Sequence, residues 1–248
     1  MAIAALYDIH GNLPALAAVL SAIERENAVT EVVVGGDVLW GPMQSECLAA
    51  LKDVGAACIA GNCERDVLHP HSETDRWCRE RLHADDRAWV HGWPLTFGIQ
   101  VEGLGAVAFY HGSPLDIEGI ITAATPDEDV ESAVASVEAD VVVCGHTHVQ
   151  FDRRLPSGKR VVDPGSVGLP YEHAVGAFWA LLGPDVEMRC TWYDAESALK
   201  SFAATEFRDP GPTGGWFEGI FGRSLRGEIP PAEATAFFER RRMGLPDS

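Results

Sequence analysis

The chain of 248 residues is long enough for one large domain, or for one domain with a small appendage. Hydrophobic residues make up 46% and charged residues 23%, which is typical of a globular protein and speaks against disorder. The formal net charge is −18, from 19 Lys and Arg against 37 Asp and Glu. Because a field of this sign repels a phosphate backbone, we expect no long nucleic acid as a partner.

The cysteines and the apolar segments indicate where the protein works. None of the six cysteines forms a C-x-x-C pair, so the sequence offers no zinc knuckle and no thioredoxin-type motif. The amino terminus has no basic leader typical of a signal peptide. The most apolar stretch, residues 174–183, is about half as long as a membrane-spanning helix. We therefore predict a cytoplasmic protein with reduced thiols and no membrane association.

The amino-terminal part alternates between apolar runs and amphipathic segments. Strands are predicted over residues 2–7, 31–34 and 56–60, with one helix beginning at Leu13 and a second over 45–54. Pro14 near the start of the first helix agrees with the preference of proline for the first helical turn. This order predicts a β-α-β-α-β unit, in which a polar turn follows every strand. Ligands of open α/β sheets bind at such strand ends.

The middle of the chain predicts further helices and a second group of strands. Residues 64–93 are charged and read as one or two helices outside the sheet. An antiparallel strand pair is predicted over 95–101 and 106–110, followed by a helix over 125–137 and a strand over 140–144. The remaining predicted elements are strands over 149–154, 160–162, 175–182 and 186–193, and a helix over 195–205.

The carboxy-terminal part differs in composition from the rest. Residues 209–227 are rich in glycine and proline, and a final helix is predicted over 231–242. We therefore divide the chain into a domain of residues 1–208 and an extension of residues 209–248. The extension carries four large apolar residues, which either pack back on the domain or form a lid or a subunit contact of a homo-oligomer. They are Trp216, Phe217, Ile220 and Phe221.

Five predicted strands end on side chains that are able to bind metals. Taken singly, each of these is an ordinary turn residue, but five in succession indicate a site. Carboxylate, amide and imidazole ligands suit divalent ions such as Mn, Fe, Zn, Ni or Co. The strand ends read Asp8-x-His10, Gly36-Asp37, Gly61-Asn62, His111-Gly112 and Gly145-His146-Thr147-His148.

This series of motifs resembles the calcineurin-like metallophosphoesterases. The likeness is greatest to a compact bacterial branch, in which the Gly-Asn motif continues with Cys, here Cys63. The turn Asp163-Pro164-Gly165-Ser166-Val167-Gly168 is similar to that branch's Asn-Pro-Gly-Ser-Val-Gly, with Asp in place of Asn. The resemblance covers residues 2–193 and does not extend beyond about residue 209.

The resemblance implies a fold and a set of ligands. The fold would be α/β, a four-layer α-β-β-α sandwich of two mixed sheets. Two divalent ions would share one hydroxide and clamp a phosphoryl group for in-line attack. The first ion would be held by Asp8, His10 and His148, and the second by Asn62, His111 and His146, with Asp37 bridging both.

The function that follows is hydrolysis of phosphate esters, principally phosphodiesters, in a small molecule or a phosphoprotein. One alternative is a phosphomonoesterase, including a protein Ser/Thr phosphatase or a dinucleoside polyphosphate hydrolase. The other is a scaffold without catalysis on the same fold. A scaffold would have lost metal-ligand histidines, whereas every ligand position here is filled.

Four residues are candidates for catalysis or substrate contact. Asn62 and Cys63 are assigned to catalysis, although the thiol replaces the family's proton-donating histidine and either gives up a proton or merely fills space. Arg65 either contacts the substrate phosphate or forms an external ion pair. Trp40 either stacks on the substrate or belongs to the core.

Overall fold

A computed structural model describes residues 2–26, 28–207 and 217–246, apart from the side chains of Phe217 and Glu218. The strands are β1 (Ala2–Leu6), β2 (Val29–Val34), β3 (Ala57–Cys58), β4 (Thr96–Val101), β5 (Gly105–Tyr110), β6 (Val141–Val143), β7 (Phe151–Arg154), β8 (Arg160–Asp163), β9 (Ala177–Leu182) and β10 (Val186–Thr191). The helices are α1 (Leu13–Glu24), α2 (Gln44–Asp53), α3 (Asn62–Leu68), α4 (Glu73–Glu80), α5 (Ala84–His91), α6 (Asp127–Val134), α7 (Ala195–Ala203), α8 (Gly222–Leu225) and α9 (Pro231–Arg242), with a π-helical turn over Phe217–Phe221.

The strands form two mixed sheets, as predicted. The first has the order β10-β9-β1-β2-β3, in which β1, β2 and β3 run parallel and β9 pairs antiparallel with β1 and β10. The second has the order β4-β5-β6-β8-β7, with β5, β6 and β8 parallel and the two edge strands antiparallel. The predicted β-α-β-α-β unit and the predicted antiparallel pair are both confirmed.

The two faces of each sheet produce the four layers. Alternate residues of β1 point to opposite sides, because successive side chains of a strand alternate between the faces of the sheet. On one side Ile3, Ala5 and Tyr7 pack with residues of the second sheet such as Phe109. On the other, Ala4 and Leu6 join a core that includes α1, α2 and α7. The outer face of the second sheet packs against α6 through Val130 and Val134.

Two local predictions need correction. Residues 64–93 hold three short helices, not one or two, and the first begins at Asn62 itself. The break after α3 falls at His69-Pro70, because the residue before a proline is driven out of the helical region, and the Ser72 side chain then caps α4 by accepting from Asp75 N at 3.0 Å. Strand β3 has two residues because only Val33 and Val34 of β2 pair with it.

The carboxy-terminal extension packs on the rest of the chain where it is described. Phe221 is fully buried with its ring centroid 6.1 Å from that of Phe202, which agrees with the alternative of packing back on the domain. The final helix has the predicted bounds. Trp216, the predicted boundary at 208/209 and the side chain of Phe217 lie outside the described residues. No helix in the described part of the chain is long and apolar enough to span a membrane.

Candidate metal centre

The seven predicted metal ligands converge on one edge of the two sheets. Asp8 and His10 follow β1, Asp37 follows β2, and Asn62 follows β3, because the carboxyl ends of parallel strands meet at the same edge. The second sheet brings its own parallel strand ends to the same place. His111 follows β5, and His146 and His148 follow β6.

The ligand atoms form two neighbouring groups. In the first, His148 Nε2 lies 3.4 Å from Asp8 Oδ1 and 3.3 Å from His10 Nε2. In the second, His111 Nε2 lies 3.4 Å from Asp37 Oδ2 and 3.0 Å from Asn62 Oδ1. His146 belongs to the second group, in which it and the Asp37 and His111 ligand atoms lie within 4.8 Å of one another.

Asp37 connects the two groups. Its Oδ2 lies 4.0 Å from His10 Nε2 in the first group and 3.4 Å from His111 Nε2 in the second. Both imidazoles hold the pKa of the Asp37 carboxyl well below its usual range, although burial alone would raise it. The carboxylate is therefore charged at neutral pH and available to cations on either side.

Backbone carbonyls orient two of the imidazoles. His111 Nδ1 lies 2.9 Å from Gly35 O, and His148 Nδ1 lies 2.7 Å from Leu169 O. A carbonyl only accepts hydrogen bonds, so each Nδ1 carries a proton and each Nε2 is the ring atom that faces the cluster. Against the effect of burial, the charge of Asp37 raises the pKa of His111 to about 10, and the charge of Asp8 raises the pKa of His148. Both Nε2 atoms point into the cluster, which is the orientation that metal-ligating histidines adopt.

Two buried atoms of the cluster support a cation site. Among the described residues, Asp8 Oδ1 and His10 Nδ1 have no hydrogen-bond partner. A buried polar atom without a partner costs about 1–3 kcal/mol, which a bound cation would offset at Asp8. Burial and the neighbouring His148 lower the pKa of His10 to about 4, so His10 is neutral at pH 7, the form that binds metals. The chemistry of these residues fits bound divalent cations.

The backbone is strained where it delivers the ligands. The left-handed region costs a residue other than glycine of order 1–3 kcal/mol when its surroundings impose it, and such strain is concentrated at functional sites. Among the described residues, every non-glycine residue with a positive φ is a proposed ligand or Trp40. These are Asp8 (53°), His10 (45°), Asp37 (54°), Trp40 (65°), His146 (70°) and His148 (58°).

Glu64 holds the Asp37 turn against α3. Its buried carboxylate accepts hydrogen bonds from the backbone N–H groups of Asp37, Val38, Leu39 and Gly61, at 2.7 to 3.0 Å. Burial and the charge of Asp37 raise the pKa of Glu64 to about 7 against the effect of these bonds. Gly61 itself cannot carry a side chain, since a Cβ there would lie 2.2 Å from Asp37 Oδ1.

The turn after β8 supports Asp8 from the other side. Ser166 Oγ donates to the carbonyl of Asp8 at 2.7 Å, and Gly168 N donates to the same carbonyl at 3.0 Å. Asp163 begins this turn, and its carboxyl accepts from Thr147 Oγ1 at 2.7 Å and from Gly165 N at 2.8 Å. The predicted Asp-Pro-Gly-Ser-Val-Gly turn therefore connects two ligand motifs. It bonds to Thr147, between the ligands His146 and His148, and to the backbone of Asp8.

Cys63 lies inside the cluster. The residue is 6% exposed, and its thiol donates to Asp37 Oδ2 at 3.0 Å, while its backbone N–H donates to Asp37 Oδ1 at 2.8 Å. Burial and the charges of Asp37 and Glu64 raise the pKa of the thiol well above its ordinary value. The thiol keeps its proton at neutral pH and uses it to orient Asp37. Its assignment to catalysis stays a prediction.

The two predicted substrate contacts lie in different surroundings. Arg65 is 45% exposed and forms ion pairs with Asp66 and Glu118, which was the alternative to a phosphate contact. Trp40 is half-buried, with its ring centroid 6.5 Å from that of His10 and its Nε1 donating to Asp75 Oδ1 at 3.0 Å. Trp40 is therefore part of the wall beside the cluster, and substrate contact by either residue stays a prediction.

Sequence reasoning missed three residues of this site: Glu64, Tyr171 and Phe238. Glu64 stands two positions after Asn62 and could have been found as an acidic residue at a helix start. Tyr171 stacks on His148 with ring centroids 4.8 Å apart, and Phe238 of α9 lies 5.9 Å from His146. Nothing local in the sequence marks either aromatic residue, because the contacts depend on where distant elements pack.

The fold and this cluster define a metal-dependent hydrolase of the two-sheet metallophosphoesterase type. The family model described as calcineurin-like phosphoesterase superfamily domain matches residues 1–182. The chain belongs to this family and is a metal-dependent phosphoesterase. The resemblance at the five motifs is thereby confirmed at the level of the superfamily, and α9 lies outside the matched residues.

The chain is also similar to individual proteins and solved structures. An uncharacterized protein of Methanocaldococcus jannaschii is 28% identical over 193 residues, which cover 68% of this chain and 76% of the relative. A hypothetical protein from Pyrococcus horikoshii has a similar fold, with a TM-score of 0.76 at 21% identity over 87% of this chain and 97% of the other. A metallophosphoesterase from Sphaerobacter thermophilus has a TM-score of 0.70 at 21% identity over 82% of this chain and 93% of the other.

Proposed function

We propose that the chain hydrolyses phosphodiesters with two divalent metal ions bound at the cluster. The observation that carries this proposal is the pair of buried ligand groups joined by the Asp37 carboxylate, with Oδ2 at 4.0 Å from His10 Nε2 and at 3.4 Å from His111 Nε2. A single-metal site needs only one such group. Manganese is the ion we would supply first, since oxygen and imidazole ligands together suit it.

The ligand roles follow from the two groups. Asp8, His10 and His148 would hold the first ion, and Asn62, His111 and His146 the second. Asp37 would contact both. When bound, such ions lower the pKa of a coordinated water and neutralise charge on the phosphoryl oxygens.

The other residues of the site maintain its geometry. The carbonyls of Gly35 and Leu169 accept from Nδ1 of His111 and His148 and keep their Nε2 atoms aimed inward. Glu64 and Ser166 hold the turns that carry Asp37 and Asp8. The rings of Trp40, Tyr171 and Phe238 lie beside His10, His148 and His146, where they would limit the access of water and so strengthen electrostatic interactions inside the site.

The preference for diesters rests on charge and on Cys63. The thiol donates its proton to Asp37, so it is committed within the cluster rather than free to protonate a leaving group. Simple alkyl monoesters depend strongly on a proton donor, whereas an aryl leaving group does not. A diester also brings one fewer negative charge to a protein of net charge −18.

The test compares three esters with the full-length protein loaded with Mn²⁺. We expect bis(p-nitrophenyl) phosphate to be cleaved faster than p-nitrophenyl phosphate, and glycerol phosphate slowest. His111→Ala should abolish turnover, whereas His91→Ala, the same substitution at an exposed histidine, should not. Faster turnover of glycerol phosphate than of the aryl diester would overturn the diester proposal. Turnover that survives in His111→Ala would overturn the assignment of the site.

A further inference from the structure

The carboxy-terminal extension is attached beside the metal cluster through buried contacts. Ser224 Oγ of α8 donates to the carbonyl of Pro170 at 2.6 Å, next to Tyr171. Near the carboxyl end of α9, the partly buried carboxylate of Glu239 accepts from Thr122 Oγ1 at 2.7 Å. These two anchors fix α8 and α9 over the edge of the sheets where the ligands converge.

Helix α9 supplies an aromatic wall to the cluster. The ring centroid of Phe238 lies 5.9 Å from His146 and 6.3 Å from Tyr171, and Tyr171 in turn stacks on His148 at 4.8 Å. Two proposed ligands, one from each group, are therefore in contact with aromatic rings that the family motifs do not include.

A cavity of about 520 Å³ lies against this wall, between α8, α9 and Tyr171. Tyr171 borders both the cavity and His148, so the two spaces are one aromatic ring apart. A cavity of this size accommodates a small organic group, since small-molecule sites span about 300–1,000 Å³. Its lining includes Tyr171, Arg223, Glu233, Phe237 and Arg240.

The lining is apolar with two cationic side chains. Arg223 pairs with Glu233 at 3.5 Å, but Arg240 has no carboxylate partner among the described residues. Its Nη2 donates to the carbonyl of Pro246 at 2.7 Å, and its buried Nε has no hydrogen-bond partner there. In a chain of net charge −18, a cavity that presents a guanidinium and aromatic rings favours a flat apolar group with a negative charge.

We propose that this cavity binds the organic substituent of the phosphate ester, and that this substituent is an aromatic group carrying a second negative charge. Phe237 would contact its ring and Arg240 its charge. The inference rests on the proposed function, because the phosphate itself would lie at the metal cluster. Tyr171 would separate the bound ring from His148 and set the distance between phosphate and substituent.

The test uses phosphodiesters that share p-nitrophenol as leaving group and differ in the second ester group. That group is methyl, phenyl or 4-carboxyphenyl, and the full-length Mn²⁺-loaded protein is assayed for kcat/KM with each. Wild type should prefer carboxyphenyl to phenyl and phenyl to methyl. Phe237→Ala should lower the phenyl-to-methyl ratio about tenfold, the scale on which apolar pockets discriminate. Arg240→Gln should lower the carboxyphenyl-to-phenyl ratio by a similar factor.

Two control variants change side chains of the same kind that do not line the cavity. Met243→Ala truncates an apolar side chain that is 56% exposed, and Arg25→Gln removes an exposed guanidinium just after α1. Both ratios should stay as in wild type in these controls. If Phe237→Ala and Arg240→Gln leave both ratios as in wild type, the cavity is not the substituent site.

Calorimetry separates this inference from the proposed function. The protein is titrated with phenyl phosphate and methyl phosphate, which need not react. If wild type binds phenyl phosphate more tightly than methyl phosphate, and Phe237→Ala loses this difference, the cavity is the substituent site. This result holds even if wild type hydrolyses none of the diesters and the proposed function fails. Equal binding of the two phosphates by wild type, with all three diesters hydrolysed alike, overturns the cavity and leaves the phosphodiesterase proposal standing.

Discussion

Replacing Asp163 with asparagine is expected to stabilise the protein increasingly as the pH rises. The Asp163 carboxyl is fully buried, and its pKa is raised to about 8. Burial is the main cause, and the charge of Asp8 adds to it, whereas the hydrogen bonds from Thr147 and Gly165 lower the pKa. At pH 7 the native state therefore keeps this carboxyl mostly neutral. An asparagine has the same shape, accepts from Gly165 N, and donates to Thr147 Oγ1, a hydroxyl that is also able to accept.

The sign and size of the effect follow from the two pKa values. An ordinary aspartate titrates near 3.8 and Asp163 near 8 in the folded protein, so the native state binds the extra proton between these values. The stabilisation that this carboxyl contributes is fully present below pH 3.8, the pKa in the unfolded chain. It is lost as the pH rises through about 8, the pKa in the folded protein. Each pKa unit is worth about 1.4 kcal/mol, which sets an upper bound of roughly 6 kcal/mol for the difference between 3.8 and 8. A realised difference of about 2 kcal/mol would raise the Tm by roughly 4–8 °C.

Thermal unfolding of wild type and Asp163→Asn at pH 5, 7 and 8.5 measures this difference. The gap between the two Tm values should widen with pH over that range. Asp53→Asn, which changes an exposed carboxyl at the end of α2, is the matched control and should show no widening. A constant gap for Asp163→Asn, or one that narrows with pH, would refute the reasoning that Asp163 is neutral in the native state.

Three further predictions concern the surroundings of the cluster. Glu64→Ala should weaken metal binding at least about tenfold, since each backbone N–H of the Asp37 turn left without an acceptor costs about 1–3 kcal/mol. Calorimetric titration with Mn²⁺ measures the affinity, and Glu46→Ala, at an exposed glutamate, is the control. Cys63→His should raise the turnover of alkyl monoesters selectively, measured at matched metal occupancy. If Cys63→Ala loses aryl diester turnover while metal is still bound, the thiol takes part in catalysis. Ending the chain at Arg208 uncovers Phe202, so it should lower solubility and Tm while metal binding persists. Unchanged solubility, Tm and kinetics would show that residues 209–248 have no such role.

The arrangement of the cluster could be predicted from the sequence because it depends on local signals. Each ligand motif follows an apolar run long enough for a strand, and parallel strands deliver their ends to one edge. Asp8, Asp37 and Asn62 could be placed together on that basis alone. His111, His146 and His148 were grouped with them because their predicted strands also end on metal-binding side chains. That a second sheet carries these histidines came from the resemblance, because nothing in the spacing says that a second sheet faces the first.

What the sequence did not predict depends on contacts between distant elements. Phe238 is an ordinary apolar residue of α9, and its contact with His146 arises only once Glu239 and Ser224 anchor the extension. The role of Glu64 was missed for a different reason. A glutamate near a helix start is expected at the surface, whereas here the Asp37 turn covers it and donates three backbone hydrogen bonds to it.

The metal content of the purified chain tests the central claim most directly. Elemental analysis after loading with Mn²⁺ and removal of free ions should find about two ions per chain, as a dinuclear site requires. His10→Ala should retain much of the second site, and Asp37→Ala should disturb both, because Asp37 lies between the two groups. One ion per chain that survives in Asp37→Ala, or phosphodiesterase activity of a metal-free chain that EDTA leaves untouched, would contradict the dinuclear account.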